Sequence, residues 1–150
     1  MTDWKAPGRS TVCPMIYCRE AEKAIDFAKE VFGAEETGAR LYRETGELWN
    51  AEVRIGEITI LVGEDVDGMG FTPFLYVYVP DVEATYEKAI AAGGEPIMPP
   101  DERFYGARDG GVRDPQGNVW WVGTHVADLT PAEIEAGARK MEAARKGDSA

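Results

Sequence analysis

His125 and Glu52 are the candidate general acid or base residues of this sequence. Histidine titrates near neutral pH, and a buried glutamate is able to do so, which suits both for proton transfer. The alternatives are structural: His125, near a strand end, would hydrogen-bond a loop, and Glu52 would pair with Arg54 or Arg108. Arg108 would either clamp a ligand carboxylate or neutralise an internal acid.

The two cysteines, Cys13 and Cys18, are five residues apart in a predicted strand. At about 3.3 Å per residue they lie roughly 16 Å apart on opposite faces, whereas a disulfide requires Cα atoms within about 7 Å. Their spacing does not fit a zinc pair, and no third cysteine completes one. We interpret both as small buried residues, since no base adjoins Cys13 to make it a nucleophile.

The elements that position these residues form a pattern that occurs twice, with an offset of sixty-one residues. In each copy, a short apolar run ends in an acidic residue and precedes a segment with apolar residues at helical spacing. The acidic residues, Glu20 and Asp81, are expected to cap the helices that follow them. A glycine closes the helix, and two strands joined by a turn follow. The pattern predicts two βαβββ modules. The apolar runs span residues 13–20 and 74–81, the helices close at Gly33 and Gly93-Gly94, and the strand pairs span 48–62 and 111–124.

The repeat divides the chain into four segments. Residues 1–9 are predicted to be a flexible arm, residues 10–68 the first module and residues 69–126 the second. Residues 127–150 are predicted to be a C-terminal helix with a frayed tail. This helix begins at Thr130-Pro131-Ala132-Glu133, a capping box with proline at the first helical position.

Four strings within the modules are distinctive: Ala24–Phe27, Val31–Ala34, Phe104–Arg108 and Val112–Trp120. With these strings and the paired modules, the chain resembles the glyoxalase/bleomycin resistance/dioxygenase superfamily, also called vicinal oxygen chelate (VOC), in its glyoxalase-like branch. The resemblance implies an α+β fold in which paired βαβββ modules form half-barrels around a pocket, to which this sequence adds the C-terminal helix. It also implies a homodimer, with modules that pair within one chain or are exchanged between two.

Metal-using members of that superfamily place one ligand on the first strand and one on the last strand of each module. The resemblance assigns these positions to Cys13 and Ile60 in the first module and to Phe74 and Trp121 in the second. Hard divalent metals require imidazole or carboxylate ligands, which these four residues do not provide. We therefore expect no cofactor and no divalent metal.

Strand alternation from those positions predicts which side chains face the pocket. Most are aromatic, as in small-molecule sites, and tyrosine and tryptophan rings attract planar or cationic molecules. Glu52 and the net charge of −11 favour a cation over an anion. The alternative is that the aromatic side chains fill the half-barrels as core. The predicted ligand-binding residues are Met15, Tyr17, Asn50, Phe74, Tyr76, Tyr78, Tyr105, Arg108 and Trp121.

The composition argues against several kinds of partner. The chain has 27 acidic and 16 basic residues and no basic run longer than Arg139-Lys140, so neither a nucleic acid nor an anionic membrane surface is expected. Its longest apolar stretches, residues 74–79 and 119–122, are far too short to span a bilayer. The N-terminus lacks the apolar segment of a secretory signal, and we expect a cytoplasmic protein with a small-molecule partner.

Three functions remain open at this point. The first is a metal-independent protein that holds a small aromatic or basic molecule, as drug-sequestering members of the superfamily do. The second is a lyase or isomerase of the glyoxalase-like type that uses Glu52 or His125 as acid or base. The third is a non-catalytic dimeric scaffold with a filled cavity. The aromatic character of the predicted pocket favours the first.

Overall fold

The computed structural model describes residues 4–70 and 72–148, and the sequence repeat folds as two βαβββ units. The first unit consists of β1 (Met15–Cys18), α1 (Ala21–Phe32), β2 (Glu35–Tyr42), β3 (Leu48–Ile55) and β4 (Ile58–Glu64). The second unit and the C-terminal helix consist of β5 (Phe74–Tyr78), α2 (Val82–Ala91), β6 (Glu95–Glu102), β7 (Ala107–Arg113), β8 (Val119–His125) and α3 (Pro131–Asp148).

Helix α1 begins where β1 ends because a carboxylate from another strand satisfies its first backbone N–H groups. Glu64 accepts hydrogen bonds from the N–H of Glu20 (2.8 Å) and of Ala21 (2.9 Å). Glu20, the expected capping residue, has a left-handed backbone (φ 54°) and its side chain makes no capping bond. The capping role therefore belongs to Glu64, whereas the predicted closure of the helix at Gly33 (φ 64°) is confirmed.

The other two helices begin at the predicted caps. The Asp81 side chain accepts a hydrogen bond from the N–H of Ala84 (3.1 Å) at the start of α2. At the start of α3, the N–H of Glu133 donates to the Thr130 hydroxyl (3.2 Å), and the N–H of Thr130 donates to the Glu133 carboxylate (3.3 Å). Both bonds of the predicted capping box are present.

The strands form two four-stranded sheets with the same topology. Sheet A has the order β1-β4-β3-β2 and sheet B the order β5-β8-β7-β6, with the first strand of each unit parallel to the last. The register places Met15 beside Leu61 in sheet A and Tyr76 beside Trp121 in sheet B. The predicted α+β class with paired half-barrel modules is confirmed. Within the described part of the chain, the outer edges of β1 and β5 have no neighbouring strand.

One hydrophobic core joins the two units. Helix α1 packs on sheet A, helix α2 packs on sheet B, and the helices contact each other. Trp120 of β8 is 0% exposed, and its ring centroid lies 4.9 Å from that of Phe32 and 6.4 Å from that of Phe27, both on α1. Its indole N–H donates to Asp114 (3.0 Å). Each sheet therefore has a helix face, turned toward this core, and an open face on its other side.

The two ends of the described chain differ, since the N-terminal segment contacts sheet A and the C-terminal helix is not buried. Of the predicted arm, residues 1–3 lie outside the described residues, while Gly8 accepts a hydrogen bond from the Thr59 hydroxyl (3.4 Å) and Arg9 pairs with Glu52. Helix α3 has no buried residue and continues through residues 146–148, where fraying is expected from the sequence. Residues 149–150 lie outside the described residues. None of the described helices combines the length and the apolar character needed to cross a membrane.

Candidate functional site

The open face of sheet B carries aromatic side chains predicted to bind a ligand. Phe74 and Trp121, on neighbouring strands, stack with ring centroids 5.5 Å apart and planes 18° apart. Phe74 is 65% exposed, so this pair does not fill a core within the chain. The Trp121 ring lies against the backbone of Gly111, where a Cβ would be 2.3 Å from the ring carbon Cε3. The absence of a side chain at Gly111 therefore makes room for the ring.

Tyr76 and Tyr78 continue this aromatic surface along β5. Their ring centroids are 5.0 Å apart, with planes inclined at 59°. Tyr78 is 69% exposed. Tyr76 lies over Gly123, where a Cβ would be 2.1 Å from the Tyr76 hydroxyl oxygen. Tyr105, from the turn before β7, lies close to Tyr76, because both hydroxyl groups donate to the same carboxylate. The predicted ligand-binding residues of the second module therefore come together on one surface, with the exception of Arg108.

A buried carboxylate that the sequence analysis overlooks lies beneath these rings. Asp109 of β7 is 0% exposed and accepts hydrogen bonds from the hydroxyl groups of Tyr76 (3.0 Å) and Tyr105 and from Nε of Arg103 (2.8 Å). Nη2 of Arg103 also donates to the Asp109 carbonyl oxygen (2.9 Å). The signal that identifies Asp109 is the register of the second hairpin, which places it opposite Gly123 on the open face.

The shifted pKa values of this cluster keep its carboxylate charged and its phenols neutral. Burial alone would raise the pKa of Asp109, but hydrogen bonds from Tyr105, Arg103, Tyr76 and Trp121 outweigh it and hold the pKa below its usual range. Burial, together with the bond to Asp109, raises the pKa of Tyr105 to about 12. The same two causes raise the pKa of Tyr76. At neutral pH the cluster therefore contains a fixed Asp109–Arg103 charge pair.

The predicted ligand-binding residues of the first module lie on the open face of sheet A. Met15 and Tyr17 border a pocket of about 260 Å³, together with Asp65 and Met69. Asn50 is half-buried on β3. It lies on the same face, because its neighbour Ala51 is buried and adjacent strand residues point to opposite faces. The two sets of residues border different pockets, since Tyr76 and Tyr78 line a separate cavity of about 400 Å³ together with Ile60 of the first unit.

Glu52 lies on the open face of sheet A, and its ion-pair partner differs from both expected arginines. Its carboxylate pairs with Arg9, which comes from the segment before β1, and accepts a longer hydrogen bond from the Thr37 hydroxyl (3.4 Å). Arg54 instead pairs with Glu35 on the neighbouring strand (3.2 Å). The expected pairing is wrong because a partner 43 residues away in sequence folds back over the sheet.

The structure places Arg108 apart from the other predicted ligand-binding residues of the second module. The register of β7 pairs Arg108 with Thr124, and its guanidinium group forms an ion pair with Glu83 of α2, so the side chain lies on the helix face. Its neighbour Asp109 takes the open face because adjacent strand residues alternate. Of the two roles considered for Arg108, the structure shows the pairing with an acidic residue of the chain.

His125 lies at the end of β8, apart from Glu52. Its Nε2 is 2.7 Å from Oδ1 of Asp128 in the loop that follows, and its side chain is exposed. This contact matches the structural alternative given for His125. Glu52 lies on sheet A and His125 on sheet B, so the structure does not join the two candidate acid–base residues in one site.

The expected position of Ile60 on the open face is also wrong. Ile60 is 3% exposed and lies on the helix face, whereas Leu61, paired with Met15, occupies the open-face position. The first hairpin is closed by residues 56–57, but the second is closed by residues 114–118. Counting from the turn glycine therefore shifts the register by one residue in the first module.

The side chains at the family's metal positions do not fit a divalent metal ion. With Leu61 in place of Ile60, the set is Cys13, Leu61, Phe74 and Trp121. Leucine and phenylalanine have no side-chain atom that could bind a metal ion. The indole N–H of tryptophan is a hydrogen-bond donor and has no lone pair to offer a metal. In the part of the chain that the structure describes, no group of three or more His, Cys, Asp or Glu side chains is placed to hold a metal.

The two cysteines have different surroundings. Cys18 is buried on the helix face, and burial raises the pKa of its thiol to about 11. Cys13, expected to be buried, is half-buried, and its thiol donates to the carbonyl oxygen of Ser10 (3.2 Å). Both thiols are free, as their spacing predicts.

Sequence comparison agrees with the paired modules. The profile of the Glyoxalase/Bleomycin resistance protein/Dioxygenase superfamily matches residues 12–122. The chain belongs to this superfamily. An uncharacterized protein of Mycobacterium tuberculosis (strain ATCC 25618 / H37Rv) is 32% identical over 135 residues, covering 82% of this chain and 79% of the relative. An uncharacterized protein of Mycobacterium bovis has the same identity, covering 82% and 88%.

Solved structures of other proteins share the fold of this superfamily member. TioX from Micromonospora sp. ML1 is 22% identical, with a TM-score of 0.61 over 77% of this chain and 99% of TioX. FosX from Listeria monocytogenes, a genomically encoded fosfomycin resistance protein, is 18% identical, with a TM-score of 0.61 over 83% and 97%. At these identities the similarity shows the fold alone. The profile match includes both open faces of the superfamily member and ends before α3.

Proposed function

We propose that this protein binds a small planar molecule, aromatic or cationic, on the open face of sheet B, without a metal ion and without changing the molecule chemically. The observation that carries the proposal is the exposed stack of Phe74 on Trp121, which lies against Gly111. Contiguous exposed apolar surfaces on soluble proteins mark binding sites. Aromatic rings gain free energy when a planar partner covers them.

The chemistry of the site supports binding over acid–base catalysis. A general acid or base works best when its pKa lies near the working pH. In the cluster of Asp109, Tyr76 and Tyr105, the pKa of the acid is lowered and the pKa values of the phenols are raised, away from neutrality. Glu52 and His125 each have a charged partner and lie on different sheets. FosX, which shares the fold, is a fosfomycin resistance protein, so the fold is compatible with a drug-like ligand.

The proposed site includes a second copy of the chain. The outer edges of β1 and β5 lack a strand neighbour in the described residues, and both open faces lie away from the core. A copy that placed Met15 and Tyr17 of its sheet A opposite sheet B of the first would cover the edges and enclose a ligand. We expect sedimentation equilibrium to give twice the chain mass, and a monomer at all concentrations would contradict this arrangement.

Removing either ring of the stack is expected to weaken ligand binding about tenfold or more, because both ring faces contribute to the contact area. The measurement is a fluorescence titration with tricyclic planar probes, one cationic and one anionic, on Trp121→Ala and Phe74→Ala. Trp4→Ala is the matched control because Trp4 is exposed in the segment before β1. Loss of binding in the control as well would place the site elsewhere.

Metal independence is tested on the same titration. Dialysis against EDTA is expected to leave the affinity of the wild-type protein unchanged, since the residues at the family's metal positions do not fit a divalent ion. A loss of binding that added Mn²⁺ or Zn²⁺ restores would show that a metal takes part. Failure of every planar probe to bind would overturn the proposed function.

A further inference from the structure

The hydrogen-bond donors around Asp109 are directed at its carboxylate rather than at a ligand. Tyr76 and Tyr105 each donate their hydroxyl proton to it, and Arg103 donates from Nε. A phenol has one proton and two acceptor lone pairs. The two hydroxyl oxygens therefore have only acceptor capacity left for a molecule that approaches from the open face.

We infer that this face selects planar ligands that carry N–H donors, such as protonated, amino-substituted heteroaromatic cations, and rejects planar anions. The inference rests on the proposed function and specifies its ligand class. A ligand N–H is accepted by the hydroxyl oxygen of Tyr76 or Tyr105 while the ligand ring stacks on Phe74 and Trp121. A ligand carboxylate at the same place meets lone pairs on those oxygens and is left without a donor.

The charges of the face favour the same class of ligand. The buried carboxylate of Asp109 is already neutralised by its ion pair with Arg103. Tyr78 and Phe74 are largely exposed, and the negative quadrupole of an aromatic ring face attracts cations. The net charge of −11 adds a long-range attraction for a cation and a repulsion for an anion.

Matched tricyclic probes separate ring stacking from hydrogen bonding. Proflavine is a cation with amino and ring N–H groups, 10-methylacridinium is a tricyclic cation with no N–H group, and anthracene-9-carboxylate is an anion of similar area. We expect proflavine to bind about tenfold more tightly than either of the other two. Equal or tighter binding of the anion, or equal binding of 10-methylacridinium, overturns this inference and leaves the proposed function intact. Binding of none of the probes overturns both.

Phenylalanine substitutions test the two hydroxyl oxygens while retaining the rings. In Tyr76→Phe and Tyr105→Phe, the affinity for proflavine is expected to fall about five- to tenfold, while the affinity for anthracene-9-carboxylate stays the same or rises. Tyr86→Phe is the matched control, since Tyr86 packs against the core on α2. Thermal unfolding of each variant checks that the fold is retained. Unchanged proflavine affinity in both variants, or an equal loss for both probes, overturns the inference.

Discussion

Replacing Trp120 with alanine is expected to lower the free energy of unfolding by about 3–5 kcal/mol, as for other fully buried tryptophans. The effect is large because Trp120 of sheet B packs against Phe27 and Phe32 of α1, so that its loss opens a cavity between the two units. The substitution also leaves the buried Asp114 carboxylate without its indole donor. Urea unfolding followed by circular dichroism measures the change.

The adjacent tryptophan provides the matched control. Trp121 lies on the opposite face of β8, half-buried and stacked on Phe74. Trp121→Ala is expected to cost about 1–2 kcal/mol in unfolding free energy while it weakens probe binding. Trp120→Ala should have the opposite effects. It should greatly lower the free energy of unfolding, while the open face of sheet B still binds the probe. Equal costs for the two substitutions would contradict the division of β8 into a core face and a ligand face.

Replacing Asp109 with alanine is expected to lower the free energy of unfolding by about 3–5 kcal/mol, since removing one partner of a buried ion pair leaves the other charge uncompensated. Here the residue left behind is Arg103, and the hydroxyl groups of Tyr76 and Tyr105 lose their acceptor at the same time. Arg108→Ala is the control from the neighbouring position. It removes a partly exposed ion pair with Glu83 and should lower the free energy of unfolding by at most about 1 kcal/mol.

The pH dependence of the Asp109 substitution has a definite sign. The pKa of Asp109 is lower in the folded protein than in the unfolded chain. The contribution of its charge to the free energy of unfolding is therefore fully present above the unfolded pKa, about 3.9. It is lost as the pH falls through the folded pKa. The stability difference between wild type and Asp109→Ala should therefore be constant from pH 7 to about 5 and shrink below about pH 4. A difference that grows on acidification would show that Asp109 is protonated in the fold.

The fold follows from the sequence because its signals are local. The capping bonds at Asp81 and Thr130 and the glycine that closes α1 each depend on residues within one helical turn. The repeated pattern then gives the order of strands and helices in both modules. The one local error, the cap of α1, arises because Glu64 reaches it from the last strand of the unit.

The site is less predictable because it depends on register and on contacts between distant residues. Strand parity correctly places Phe74, Tyr76, Tyr78 and Trp121 on one face. The predicted strand pair of the second module begins at residue 111, four residues after β7 begins in the structure, because glycine disfavours strands. The faces of Arg108 and Asp109 are therefore not predicted, and Asp109 is overlooked.

Another non-local feature is the direction of the open faces. It depends on the packing of Trp120 of sheet B against α1, which joins residues of both modules. Neither module's own sequence contains this information, because each hydrophobic helix face is able to pack against its own sheet or against the other unit. This is why the alternation pattern predicts the lining of a pocket but not whether one chain encloses it.

The two glycines under the aromatic face, Gly111 and Gly123, limit how this surface tolerates sequence change. Alanine at either position would meet a ring or hydroxyl group of Trp121 or Tyr76 within 2.3 Å. A combinatorial library that alters ligand preference should therefore keep these two codons constant. Diversity belongs at exposed positions such as Tyr78, whose side chain is free to change in size without displacing the backbone.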